Sequence, residues 1–330
     1  MIAAMRLGPS SNPSFHRLRV VAWLAIAGLA LSPAAPAPAA PANDPSASGL
    51  PRLVSLNPSL TAIVERLGAA EALVGVDDYS ARIAPSLADR PRVGGLFDPS
   101  LEAVMALRPD RVLLVAGLEQ ESHGAALRKL GLEVEVFENE RYAQVLANID
   151  RLGRLVGREG AAAERIGEIR ALRSAVERAT RGLPRPRTLI VIDRSPLYLV
   201  GGGTFLDELL GAVGAVNLGA EVATGYPRGS LEWLVAARPE LLLDLSPQAE
   251  EGAGAERVAG ASASTGALAF WARWPSLPAV KTKRVLALDA TRVSLPGPDL
   301  DRALRELAIA VHGAGIEAVI ERELVRREAP

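Results

Sequence analysis

Residues Tyr142–Gly182 read YAQVLANIDRLGRLVGREGAAAERIGEIRALRSAVERATRG. Val145, Ile149, Leu152, Val156, Ile166, Ile169, Leu172 and Val176 follow one another at mostly helical spacing, with Arg and Glu on the other faces. That is the apolar stripe of a helix. No proline interrupts it, and its alanines favour helix. Unbroken, it would run roughly 60 Å at about 1.5 Å per residue, longer than one small domain requires. Gly153, Gly157 and Gly160 leave room for a kink or break. On either side lies a block of similar order: a short β-run, a helix, a polar turn, a Glu-led helix and another β-run. The pattern predicts an α/β chain in which two parallel-sheet lobes are joined by one long rigid helix, with the functional surface between them. A single αβ domain with a long crossover helix is the simpler alternative.

The predicted divisions are an export signal over 1–42, a polar lead-in over 43–50, a first lobe over 51–141, the linking helix over 142–182, a second lobe over 183–313 and a tail helix over 314–330. A chain of 330 residues has room for one large or two modest domains. Arg6, Arg17 and Arg19 precede the apolar run Val20–Leu31, and a Pro/Ala tract follows. That run is short for a membrane span, and the small residues Ala40 and Ala42 suit cleavage before Asn43. Loss of those three arginines leaves 34 basic against 38 acidic residues, a formal charge of −4. No basic stripe favours nucleic acid. The chain contains no cysteine, which removes both disulfides and a lipidated N-terminal Cys. The expected product is a soluble, non-lipidated protein of the periplasm.

In the first lobe, Arg52–Leu56 reads as a strand, followed by a helix that Ser59 is expected to cap and Gly68 to close. Leu73–Val76 is a second strand, leading into Asp77-Asp78-Tyr79-Ser80 as a loop. After Phe97-Asp98-Pro99, Ser100 is expected to cap a helix with Glu102 in its first turn. Arg111–Val115 is the next strand; a loop, a helix from His123 to Leu130 and the strand Glu133–Phe137 complete the lobe. Ligands of open α/β sheets sit beyond the C-terminal ends of the strands. Those ends carry Asn57, Tyr79, Phe97 and the segment 117–121, an aromatic rim.

In the second lobe, Thr188–Ile192 is a strand and Tyr198 lies in the following loop. The run Gly201-Gly202-Gly203-Thr204 enters a helix, but lacks the Lys-Ser/Thr of a phosphate loop. Pro99-Ser100-Leu101-Glu102, then Arg108-Pro109-Asp110 and RVLLV, is echoed by Gly229-Ser230-Leu231-Glu232, then Arg238-Pro239-Glu240 and LLLDL. The two halves are therefore expected to share a fold. Gln248–Thr265 reads as a mobile loop or weak helix. Phe270, Trp271 and Trp274 follow it, and a charged tail forms a separate helix.

No Ser/His/Asp set, HExxH or metal-ligating cluster can be assembled. His123 and His312 are single residues in helical context, and Asp77-Asp78 reads as a solvated turn. The chemistry predicted is capture in a cleft, with no catalytic residue, resident metal or catalytic cofactor.

RLVSLNPSLTAIVERLGAAEALVGVDDYS (52–80), RPRVGGLFDPSLEAVMALRPDRVLLV (90–115) and LPAVKTKRVLALDATRVSLPGP (277–298) resemble the family of periplasmic vitamin B12-binding proteins and its relatives that bind ferric siderophores or haem. The resemblance implies two lobes on a helical backbone with little hinge motion. It also implies a monomer that delivers cobalamin or a related corrinoid to an ABC permease dimer with its ATPase. One exposed Glu per lobe docks on permease arginines in that family, and the matching positions are Glu102 and Glu232. Ligand-facing positions by resemblance are Tyr79, Leu96 and Phe97 in the first lobe, with Tyr198, Tyr226, Arg228 and Trp271 in the second. Tyr79 is also a candidate axial ligand for haem. Arg82, Arg228 and Arg292 are the counterparts of arginines that meet anionic siderophores. An envelope protein that holds a lipid or a partner protein on the same scaffold is the alternative of another class.

Overall fold

The computed structural model describes residues 49–246 and 261–328. The predicted export signal lies outside them, as does most of the predicted mobile loop. The first lobe runs β1 (Leu53–Ser55), α1 (Pro58–Arg66), β2 (Leu73–Val76), α2 (Asp78–Ile83), α3 (Leu101–Ala106), β3 (Arg111–Val115), α4 (Leu118–Lys129) and β4 (Val134–Phe137). Its strands form one parallel sheet in the order β2-β1-β3-β4. Alternate residues face opposite ways: Leu53 and Leu113 join the core beneath α1, while Val54, Val112 and Leu114 join a second core with Val104 and Leu127. Both faces are covered, as an all-parallel sheet requires.

Local starts differ from expectation in three places. Asn57, not Ser59, caps α1 by accepting from the Ser59 amide at 2.9 Å. Pro58 has no amide to offer and suits the first helical position, so the cap falls on the residue before it. Asp77 caps α2, so the stretch read as a loop is helical. Helix α4 begins at Leu118, five residues before His123.

The linking stretch forms two helices, α5 (Tyr142–Leu155) and α6 (Glu159–Ala179). The break falls at Gly157, whose φ of +63° is the left-handed turn that ends α5. The chain then doubles back. Gly153 lies so close to Ala162 that a Cβ on it would collide, and the Arg173 guanidinium sits 4.3 Å over the Tyr142 ring. A continuous 60 Å rod is therefore replaced by an antiparallel hairpin. All eight residues of the apolar stripe are nonetheless buried in the main core.

The second lobe continues with β5 (Arg187–Arg194), β6 (Leu197–Leu199), α7 (Phe205–Ala212), β7 (Val216–Asn217), α8 (Leu231–Ala237), β8 (Leu241–Asp244), α9 (Ala261–Trp271), α10 (Pro278–Lys281), β9 (Val285–Ala287), α11 (Ala290–Ser294), α12 (Leu300–His312) and α13 (Ile316–Glu328). Its sheet runs β6-β5-β8-β9, with β7 also on β5; β6 is antiparallel and the rest parallel. Two separate sheets settle the choice in favour of the two-lobed α/β reading.

Helix α5 packs on α1, and α6 on α12 and α13. Leu60, Ile149, Leu172, Leu206 and Leu307 thus belong to one continuous core through both lobes. A large apolar interface of this kind opposes free hinge motion. The tail forms its own helix, α13, as expected, and it is docked on the core: Ile316 and Ile320 are buried, and Arg178 donates to Glu323 at 2.9 Å.

Candidate ligand cleft and paired surface helices

The lobes meet where β2 ends. Asp77 accepts from the amides of Tyr79 and Ser80 at 3.0 and 2.9 Å, which seats α2 with Tyr79 in its first turn. The Tyr79 hydroxyl lies 3.2 Å from Thr291 Oγ1 on α11 of the other lobe. Arg82 stands 4.7 Å over the Tyr79 ring. Beside this contact a crevice of about 220 Å³ runs between α1, α2, α11 and the start of α12, lined in part by Thr61, Ser80, Thr291 and Arg292.

Asp77 is fully buried. Lost hydration pushes its carboxyl above the usual carboxylate range, outweighing the hydrogen bonds from Ser80 and Tyr79. Stability linked to a raised folded pKa is complete below the unfolded pKa and is lost as pH rises through the folded value. Asp77→Asn removes that loss. The variant is therefore expected to gain on the wild type as pH rises from about 4 to about 7. Urea unfolding at both ends of the range checks this, and a difference that does not change with pH would contradict it.

Phe97 occupies the tip of a turn closed by a bridge between Gly94 and Pro99. Gly94 has φ +97°, and its carbonyl accepts from the Asp78 amide at 2.9 Å, which ties the turn to α2. From the other side, His123 Nε2 donates to the Phe97 carbonyl at 3.1 Å. Leu96 is half-buried, whereas Phe97 is 65% exposed despite this bracing.

Tyr198 lies on β6, not in a loop, directly opposite Arg228. Residues 225–229 run antiparallel to 197–201, with Leu199 N donating to Pro227 O and Gly201 N to Gly225 O. Tyr226 stands two residues before Arg228, at a bend that follows the left-handed Gly225, φ +73°. Gly201 permits the close approach, since a Cβ there would strike the Ala223 carbonyl. Tyr226 is 46% exposed, yet lost hydration and the charge of Glu140 push its phenol up to about 12. Glu140 belongs to the first lobe's exit, and its carbonyl accepts from Phe205 at 2.5 Å. Tyr79 and Phe97 are thus neighbours on one lobe, and Tyr198, Tyr226 and Arg228 on the other.

Trp271, expected at the cleft, does not face it. It is fully buried, and its Nε1 donates to Asp244 Oδ2 at 2.6 Å. The same carboxylate accepts from Arg194 Nε at 2.9 Å and the Ser246 amide at 3.0 Å, while Arg194 stacks 4.4 Å over Phe270. Trp271 therefore anchors α9 to the sheet and presents no face to a cleft. The signal for this cluster was the single Asp in the otherwise apolar LLLDL strand. Arg292 is engaged with Glu306 at 3.5 Å and Asp289 at 3.9 Å. At the triple glycine, the Gly203 amide donates to Asp207 Oδ2 at 2.9 Å, so a carboxylate of the chain already occupies that donor.

Glu102 and Glu232 are both exposed in the first turns of α3 and α8. Ser100 and Ser230 cap these helices as expected, accepting from Ala103 and Trp233 at 3.2 and 3.1 Å. The backbone amide and the Ser230 hydroxyl hold the Glu232 carboxyl below its usual range.

Comparison with known proteins gives relatives of this architecture. The chain is 28% identical over 271 residues to a cobalamin-binding protein of Halobacterium salinarum, covering 80% of this chain and 70% of that protein. It is 27% identical over 271 residues to the uncharacterized ABC transporter substrate-binding lipoprotein YvrC of Bacillus subtilis, covering 79% of this chain and 80% of that protein. A periplasmic heme binding protein from Pseudomonas aeruginosa superposes with a TM-score of 0.65 at 27% identity, covering 80% of this chain and 94% of that one. The family description "Periplasmic binding protein" matches residues 53–291. With both sheets and the helical backbone inside that span, the chain belongs to the periplasmic binding protein family.

Proposed function

We propose that this protein is the periplasmic substrate-binding component of an ABC importer, which captures cobalamin or a related corrinoid and hands it to a permease dimer with its ATPase. The observation that carries this reading is the repeated Ser-capped, Glu-led helix, one on each lobe, in a chain whose two lobes each expose aromatic side chains, Phe97 on one and Tyr198 and Tyr226 on the other. The crevice beside Tyr79, at about 220 Å³, falls below the roughly 300–1,000 Å³ of ordinary ligand sites. A corrinoid would therefore lie across the open rim, against Tyr79, Leu96 and Phe97 on one side and Tyr198, Tyr226 and Arg228 on the other. Planar aromatic contacts remove apolar area, and a shared core limits the ordering cost of binding. Because the chain has no cysteine, release as a soluble protein is part of the proposal.

A ferric chelate or haem is the second reading. It is favoured by the Arg82 guanidinium over Tyr79, since tyrosine is one of the side chains that hold haem iron. Calorimetry against cobalamin, a ferric hydroxamate, a ferric catecholate and haem separates the two. Cobalamin is expected to bind one to one, and Tyr79→Ala to weaken it by about 1–3 kcal/mol, the cost of losing an aromatic anchor. Saturable binding of a ferric chelate with no response to cobalamin would replace the first reading by the second.

A further inference from the structure

Helices α3 and α8 have six and seven residues, too few to hold themselves in water. Their serine caps secure only the first turn. The last turn of each is held by an arginine from the start of the lobe's central strand. Arg52 precedes β1; its Nε donates to the Arg108 carbonyl at 3.2 Å and its Nη2 to the Leu107 carbonyl at 2.8 Å. Arg187 opens β5, and its Nη2 donates to the Ala237 carbonyl at 3.2 Å.

Each strap is closed by a return bond. The Arg52 amide donates to Asp110 Oδ2 at 2.7 Å, and the Arg187 amide to Glu240 Oε2 at 3.0 Å. The backbone amides of Asp110 and Glu240 donate to the carbonyls of Arg52 and Arg187, each at 2.8 Å. Between helix and strand the chain turns through Arg108 and Arg238, left-handed at φ 44° and 50°, a conformation that costs a non-glycine residue energy. Lys283 has a similar φ of 55° after α10, but there the strand-leading Arg284 reaches the helix only through its backbone amide, on the Ala279 carbonyl, while its guanidinium donates to the Val311 carbonyl instead. Both straps therefore belong to the two helices that carry Glu102 and Glu232.

We infer that Arg52 and Arg187 are positioning residues that hold Glu102 and Glu232 in matching poses for a two-fold partner with a basic group at each contact. This rests on the docking role proposed for the two acids. A frayed last turn would let each short helix roll, and a charge contact loses strength once its geometry is lost.

Hydrogen exchange on the whole protein gives the first test. Arg52→Ala is expected to speed exchange of the α3 amides and leave α8 unchanged, with Arg187→Ala doing the reverse. Arg52→Lys, which keeps one donor, should restore part of the protection. Unchanged exchange in both alanine variants would overturn the inference.

Proteoliposomes holding a cobalamin permease with its ATPase give the second test. Arg52→Ala should weaken docking roughly tenfold, add nothing in a Glu102→Ala background, and add its full effect in a Glu232→Ala background. A purely structural role would lower all three alike and would overturn the inference. Wild-type docking that ignores Glu102 and Glu232 would instead defeat the docking reading, leaving exchange as the judge of the straps.

Discussion

Asp244→Ala is expected to lower the unfolding free energy by about 3–5 kcal/mol, the range for removing one partner of a buried ion pair. Asp244 is fully buried at the end of β8 and collects Arg194 Nε, Trp271 Nε1 and the Ser246 amide within 3.0 Å. Its removal leaves the Arg194 charge, already short of a partner at Nη2 among the described residues, without its carboxylate in an apolar setting. It also strands the Trp271 N–H and unpins α9 from the sheet. Trp271→Phe keeps the ring area and deletes one donor, so its expected cost is smaller, about 1–3 kcal/mol. Denaturant unfolding of both variants checks the order. Equal costs, or a loss under 1 kcal/mol for Asp244→Ala, would contradict the assignment of Asp244 as the hub.

That cluster also marks where sequence reasoning stopped. Trp271 was assigned to the cleft because aromatic residues are scarce in this chain and family resemblance suggested one there. Nothing local in FWARW distinguishes an indole that meets a ligand from one claimed by an acid on a strand 27 residues away. The apolar stripe of 142–182 was legible, and all eight of its positions are buried. Periodicity reports which face of a helix is covered, but not whether two helices share that cover. Gly157 permitted the break, and packing between α5 and α6 decided it. Asp77 read as a solvated turn residue because capping depends on where the helix starts, and here the start was missed. The Ser-Leu-Glu echo was fully legible, since caps and first turns are local chemistry. Its straps were not, because Arg52 and Arg187 stand more than 45 residues from the carbonyls they hold.

Reversing both acids, Glu102→Arg with Glu232→Arg, is expected to abolish transport into vesicles while ligand affinity stays at the wild-type value. Both side chains are exposed and lie in short helices on separate lobes, with no ion pair to either among the described residues. Neither lies among the residues assigned to the rim. Reversal replaces attraction by repulsion at two contacts at once, and like charges brought together cost several kcal/mol. Each kcal/mol reduces occupancy of the docked complex about fivefold, so two such contacts suffice to end measurable turnover. The helices themselves should suffer little: an arginine in a first turn loses only about 0.3–1 kcal/mol against the helix dipole. The single reversals should each retain part of the activity, because one correct contact still orients the protein. Restoration of transport by exchanging the permease arginines for acids would establish the contact directly. Full transport by the double variant, with ligand binding intact, would remove Glu102 and Glu232 from the docking surface.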